Sequence, residues 1–339
     1  MNRLDPFDAL RVFAMTIVLA SHIWGTSPYH FILGSTGVIM FFALSGYQIG
    51  KGFYSGRYTA KDYLIKRFFA VGLPYLVFVI FAALVIYPGM ITDDPITVVR
   101  LLTFTYSGEM SSIWLSYGMP YMGHLWFISV MMQMYLIALV LGLVVSKVKH
   151  NTKICWILFL GFLVLGELIR SMYYHMGISI YFSILNYVNV FFCAFMLRYL
   201  NLPTDKAGHA VKICSTIVLI AVAVCNLDRF IWVTLALFVF FLVLDSNVRN
   251  ENERLSVSAV KRNPLRIIEC LSMISLSFYM WHQVVIWKIW GKIDLGADIW
   301  GYTRITLIAF AVTCLAGALW YLSVERASKN LASRLRTTK

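Results

Sequence analysis

Charge is what this sequence has least of. Only 13% of its 339 residues are Asp, Glu, Lys or Arg, against about 25% in a soluble protein. Hydrophobic residues make up 60%, and mean hydropathy is +0.75. This composition excludes a soluble globular enzyme, and equally a disordered or collagen-like chain. Acidic residues are the scarcer charge: 16 Asp+Glu stand against 29 Lys+Arg, a net charge of +13. Cysteine is also sparse. All six (Cys155, Cys193, Cys214, Cys225, Cys270, Cys314) fall within apolar runs, none at metal-ligand spacing. Neither a disulfide framework nor a metal site is therefore expected. Low-complexity stretches, a soluble domain and a clear internal repeat are lacking too. The N-terminus is not a convincing signal peptide, because Arg11 interrupts the first apolar run and no good small-residue cleavage site follows it.

Long apolar runs are abundant. A spanning helix needs about 20 mostly apolar residues, and ten segments qualify: Phe7–Trp24, Leu33–Gly50, Phe68–Tyr87, His124–Ser146, Lys153–Ile169, Ile178–Leu197, Val211–Leu227, Asp228–Leu244, Ile267–Trp287 and Ile305–Val324. The second is the least hydrophobic, with Gly34, Gly37, Ser45 and Gly46, which predicts that it packs inside the bundle. The expected fold is all-α: a polytopic integral membrane helical bundle of about ten transmembrane helices. Residues 1–325 form one ten-span membrane domain, and 326–339 form a basic cytoplasmic tail.

The distribution of the basic residues orients the bundle. Lys and Arg accumulate in cytoplasmic loops. With the N-terminus inside, alternate loops, the tail and Arg3 collect 22 of them, against six outside: Arg100, Arg170, Arg229, Lys288, Lys292 and Arg304. Both termini are thus expected in the cytoplasm. The basic residues are spread over five loops and a tail with no single patch, so nucleic-acid binding is disfavoured. The longest outer segment, Pro88–Gly123, carries Arg100, Tyr106, Glu109, Trp114, Tyr117 and Tyr121. It reads equally as a lid or sugar-stacking surface and as an interfacial aromatic belt.

Ionisable groups inside a span are expensive and mark function by default. Arg11 lies about one turn into the first span, and Asp8 is one turn earlier, within ion-pair reach. His22 lies eleven residues beyond Arg11. That is close to three full turns, so both share a face about 16 Å apart along the axis. His124 and His282 are expected at similar outer depth. Arg11, Lys66, Arg67 and Glu325 mark the opposite boundary. The sequence therefore has two poles, one of imidazoles suited to proton transfer near neutral pH and one of cations suited to an anionic ligand. The blander alternatives are a snorkelling arginine and an interfacial histidine.

These residues resemble the acyltransferase 3 family of membrane proteins. Phe7-Asp8-Ala9-Leu10-Arg11 with His22 resembles its opening, and Phe41-Phe42-Ala43-Leu44-Ser45-Gly46-Tyr47 its second span. Lys66-Arg67-Phe68-Phe69 with Pro74 resembles its third, and His124-Leu125-Trp126-Phe127 with Tyr135 its fourth. Ser275-Leu276-Ser277-Phe278-Tyr279-Met280-Trp281-His282 and Glu325-Arg326 resemble its last two. Two departures stand out: Ala70 occupies the place of a second Arg in the third-span motif, and Ala327 that of a Pro. The resemblance implies an O-acetyltransferase of the inner (cytoplasmic) bacterial membrane, surrounded by membrane lipid. It would move acetyl from cytosolic acetyl-CoA to a hydroxyl of a glycan or lipid-linked sugar, as in O-antigen, lipopolysaccharide or exopolysaccharide. His22 would be the base, Arg11 would help hold the donor, and Lys66 and Arg67 would contact its phosphates. Ser45 is expected to join the donor-binding set, with Asp8, Trp126, Tyr279 and Glu325 in support and no metal; the sequence does not identify the oxyanion donor, for which Ser45, His124, His282 and a backbone N–H are all candidates. Direct transfer and an acyl-His intermediate both remain open. The competing class is a polytopic exporter of a polysaccharide or lipid-linked sugar, which ten spans, glycine-rich helices and buried charge also fit.

Overall fold

The computed structural model describes residues 6–25, 34–106, 122–200, 262–289 and 298–336. Among them every regular element is helical. The spans expected over Val211–Leu227 and Asp228–Leu244 lie outside the described residues, as do positions 107–121 of the long outer segment.

Among the described residues five helices are long and apolar enough to cross a membrane: α1 (Pro6–Trp24), α3 (Ala60–Ile86), α5 (Gly123–Val148), α6 (Thr152–His175) and the continuous run Ile299–Arg336. Within that run α10 is Ile299–Trp320 and α11 is Arg326–Arg336. Helix α2 (Gly34–Tyr54) is too polar to qualify alone but is well enclosed, with thirteen of its 21 residues buried. This matches the expectation of an internal helix. Helix α4 (Pro95–Leu102) is short, and α7 (Ile184–Tyr199) is apolar but shorter than a full span.

The ninth apolar run is not one straight span. It divides into α8 (Arg262–Met273) and α9 (Ser275–Ile289), bent by 70° at a break around Ile274. If the bent pair counts as one, the candidate spans among the described residues number six. Irregular backbone at membrane depth is tolerated only where it is buried in protein or lines a cavity. Two long helices also loosen into π turns, at Phe68–Gly72 in α3 and at Tyr321–Glu325 between α10 and α11. The Ser328 hydroxyl of α11 donates to the Phe69 carbonyl within the first of these turns.

Local signals set the helix starts. Thr59 caps α3 by accepting from the Asp62 N–H, and Asn151 and Ser183 cap α6 and α7 in the same way. Within the expected basic tail, Arg326–Arg336 is helical. Besides the Ser328 bond, its Arg336 lies 3.7 Å from Asp62 of α3.

In lipid, helices associate through close packing and not through the hydrophobic effect, so small residues concentrate where backbones meet. Gly46 and Gly50, one turn apart on α2, face the carbonyls of Phe191 and Phe195 on α7 so closely that neither position has room for a Cβ. Around this contact Phe42 stacks on Tyr187 at 4.4 Å, and Phe53 lies 6.2 Å from Phe195.

Gly46→Leu should force α2 and α7 apart and destabilise the protein by roughly 1–3 kcal/mol or more. The check is the thermal unfolding midpoint in detergent. Gly161→Leu on α6, where an added Cβ meets open space, should leave it unchanged.

Candidate active site

Arg11 cannot be left unpartnered in an apolar helix, and three side chains from three elements satisfy it. One guanidinium nitrogen donates to Asp8 at 2.8 Å and to Ser272 Oγ at 3.3 Å, and the other donates to Gln48 Oε1 at 2.7 Å. Ser272 in turn donates to Asp8 at 2.6 Å. The cluster ties α1 to α2 and α8. The expected Asp8–Arg11 pair is present; Gln48 and Ser272 were not anticipated.

Arg11 opens onto a cavity of about 870 Å³, within the range of small-molecule sites, roughly 300–1,000 Å³. At this end Arg67, Glu269, Glu325 and Lys329 also line it. Arg67 is held by aromatic groups. Its guanidinium carbon lies 5.2 Å from the Tyr135 ring and 5.6 Å from the Tyr63 ring, at cation–π range, and one nitrogen donates to Tyr58 Oη at 3.2 Å. Among the described residues no carboxylate lies within 4 Å of it. Arg67 and then Lys66 pull the Tyr58 phenol below its ordinary pKa, against burial, which is the larger single influence and raises it. Lys66 does not line the cavity; its ammonium sits 3.4 Å from Tyr58 Oη.

Glu325, fully buried, accepts from the Ser277 hydroxyl and pairs with Lys329 at 3.0 Å. Ser45 and Ala70 both line the cavity wall.

The far end of the cavity is aromatic. Phe41, Phe127 and Tyr279 line it, with ring centroids 5.9 Å apart for the first pair and 5.0 Å for the second. Just behind Tyr279 are the three histidines expected at one depth, here in contact. His124 and His282 are 4.8 Å apart, and His22 and His282 are 5.2 Å apart. Tyr279 joins both compartments: its hydroxyl donates to the His124 carbonyl, and its own carbonyl contacts His282 Nδ1.

Backbone partners set two tautomers. His282 Nδ1 meets the Tyr279 carbonyl and His124 Nε2 meets the Met280 carbonyl at 2.9 Å, so each is the protonated nitrogen of its ring. His282 Nε2 is then left as a buried acceptor with no partner among the described residues. His22 lacks a backbone anchor of this kind. The Gln283 amide nitrogen lies 3.2 Å from its Nδ1 and 3.4 Å from its Nε2. His124 and His282 are 3% and 1% exposed, whereas His22 keeps an exposed side chain. His22 does not line the cavity; Tyr279, which does, packs against His124 and His282.

Of the expected site residues, Asp8, Arg11, Ser45, Arg67, Tyr279 and Glu325 line one cavity, and His22, His124 and His282 form one cluster. Trp126 belongs to neither. It packs in the aromatic core, 5.7 Å from Tyr187 and 5.2 Å from Phe182. Gln48, Ser272 and Gln283 escaped notice because they are neutral, and ionisable groups stand out most against an apolar background. Gln283 was signalled at most by its place next to His282.

An internal cavity with cationic groups at one end and imidazoles behind the other, inside a bundle of apolar helices, defines a polytopic membrane protein with an enzyme-like site. A family model described as an acyltransferase domain, acyltransferase 3, matches residues 5–322. The chain belongs to that family and is an integral membrane protein of the acyltransferase class. No curated protein and no solved structure matches it.

Gln283→Leu should leave the His22 ring unheld. Acyl-transfer turnover should fall about ten- to hundredfold, since small misplacements of a reacting group cost that much, while donor binding stays intact. Wild-type turnover in this variant would remove Gln283 from the site.

Proposed function

We propose that this protein transfers an acyl group, acetyl in the first instance, from cytosolic acyl-CoA to a hydroxyl of a cell-surface glycan or lipid-linked sugar on the outer side of a bacterial inner membrane. The observation that carries the reading is the polarity of the site. Arg67 lines one end of the cavity with no carboxylate within 4 Å among the described residues. At the other, His22 keeps an exposed side chain behind an aromatic floor. An anionic donor and a neutral sugar would thus approach from opposite ends.

The count of 22 basic residues against six supports placing the Arg11 pole in the cytoplasm and both termini with it, on a ten-span frame. Acetyl-CoA suits the cavity. Its phosphates meet Arg67 at the mouth, Arg11 flanks the arm, and the thioester points toward Tyr279. The roughly 16 Å from Arg11 to His22 is comparable with an extended pantetheine arm.

In the direct route His22 takes the proton of the acceptor hydroxyl as that oxygen bonds to the thioester carbonyl carbon. The carbon–sulfur bond breaks, and the CoA thiolate leaves and collects the proton from His22. In the alternative route the imidazole nitrogen is acylated first and the sugar oxygen then displaces it. Ser45, on the cavity wall, would donate to the oxyanion.

At matched expression, His22→Ala should abolish acetyl-CoA-dependent glycan acetylation. Arg11→Ala should chiefly raise the KM for acetyl-CoA, because it removes a contact made to the donor in ground and transition states alike. Mass spectrometry of surface glycan reads both. Wild-type acetylation in the His22 variant would overturn the assignment, and purified protein that moves no acyl group from acyl-CoA would favour an exporter.

A further inference from the structure

We propose that Lys329 supplies the second cation for the donor's phosphates, beside Arg67, where the wall residue Ala70 offers no charge. The proposal rests on the acyl-CoA reading above and adds a binding residue that lies beyond the matched residues 5–322. Lys329, Ala70 and Arg67 all line the same cavity. Helix α11 is held there by the neighbouring residue, since Ser328 donates to the Phe69 carbonyl, one residue from Ala70. The Arg336–Asp62 contact at 3.7 Å fixes the far end of α11 to the start of α3.

Charge balance gives Lys329 its task. Arg11 is neutralised by Asp8, which leaves Arg67 as the one cavity cation with no carboxylate near it among the described residues. A diphosphate linkage with a further phosphate monoester carries more negative charge than Arg67 alone can meet. Lys329 is the next cation on the wall. Its present partners are on its own helical run: Glu325 at 3.0 Å and the Tyr321 ring at 4.7 Å. Its side chain is 41% exposed, so exchanging Glu325 for a phosphate oxygen strands no buried charge on the lysine. Glu325, buried, also has the Ser277 hydroxyl as a partner.

The test uses the full chain in nanodiscs, with coenzyme A as the binding probe. Acetyl-CoA and a phosphate-free acetyl thioester, S-acetyl-N-acetylcysteamine, serve as donors. Lys329→Ala should weaken coenzyme A binding and raise the KM for acetyl-CoA about tenfold, the loss expected of one charged contact. The KM for the phosphate-free thioester should move less than twofold. Lys329→Arg should stay near wild type, and Ala70→Arg introduced into the Lys329→Ala protein should restore most of the affinity. Unchanged coenzyme A binding in Lys329→Ala, or an equal loss with both donors, would overturn the proposal. Wild-type protein that binds no coenzyme A would instead overturn the donor reading beneath it.

Discussion

The structure turns on how an arginine is kept inside an apolar bundle. Arg11 demands several acceptors, and its own helix offers only Asp8. The others come from Gln48 on α2 and Ser272 on α8. Losing any one partner would leave polar atoms unmatched at a cost of order 1–3 kcal/mol, so three helices are drawn to one point. The same cluster keeps that point from closing with hydrocarbon. The cavity exists because its mouth is polar, and the mouth is polar because Arg11 must be satisfied.

The far end follows the opposite rule. There the wall is made by rings, Phe41, Phe127 and Tyr279, and the polar groups are set back behind them. His124 and His282 are held by backbone carbonyls, which fixes the nitrogen each leaves bare. His22 is held only by a side-chain amide and keeps exposed surface. Two imidazoles are thus rigid and enclosed, and one is adjustable and reachable. This division suits a site in which one histidine meets the substrate and its neighbours shape the surroundings.

Much of this was legible in the sequence, for definite reasons. Apolar runs and basic loops mark helices because lipid enforces both. Charged and imidazole groups stand out in such runs, so Arg11, His22, His124, His282 and Glu325 could be picked without a structure, and the glycine-rich second run was recognisable as internal. What escaped notice depends on three-dimensional placement. Gln48, Ser272 and Gln283 are unremarkable until a neighbour from a distant run meets them. Lys66 and Arg67 are adjacent in sequence yet differ in fate, since only Arg67 faces the cavity. Trp126 reads as a site residue from its histidine-containing motif but turns to the aromatic core. A break within an apolar run, such as the one at Ile274, changes too little in composition to announce itself.

The π turn at Phe68–Gly72 has a consequence for phase. Arg67 and Tyr75 are eight residues apart, which in an unbroken α-helix would set them about 80° out of line at 100° per residue. A π turn absorbs one extra residue, so the separation behaves as seven and the misalignment shrinks to about 20°. Arg67 on the cavity and the buried stripe of Tyr75, Phe78 and Val79 can then belong to one face of α3. The helix holds two messages, a charge for the ligand and a packing surface for the bundle, written in different registers. The widened turn is the point at which one register is brought into step with the other.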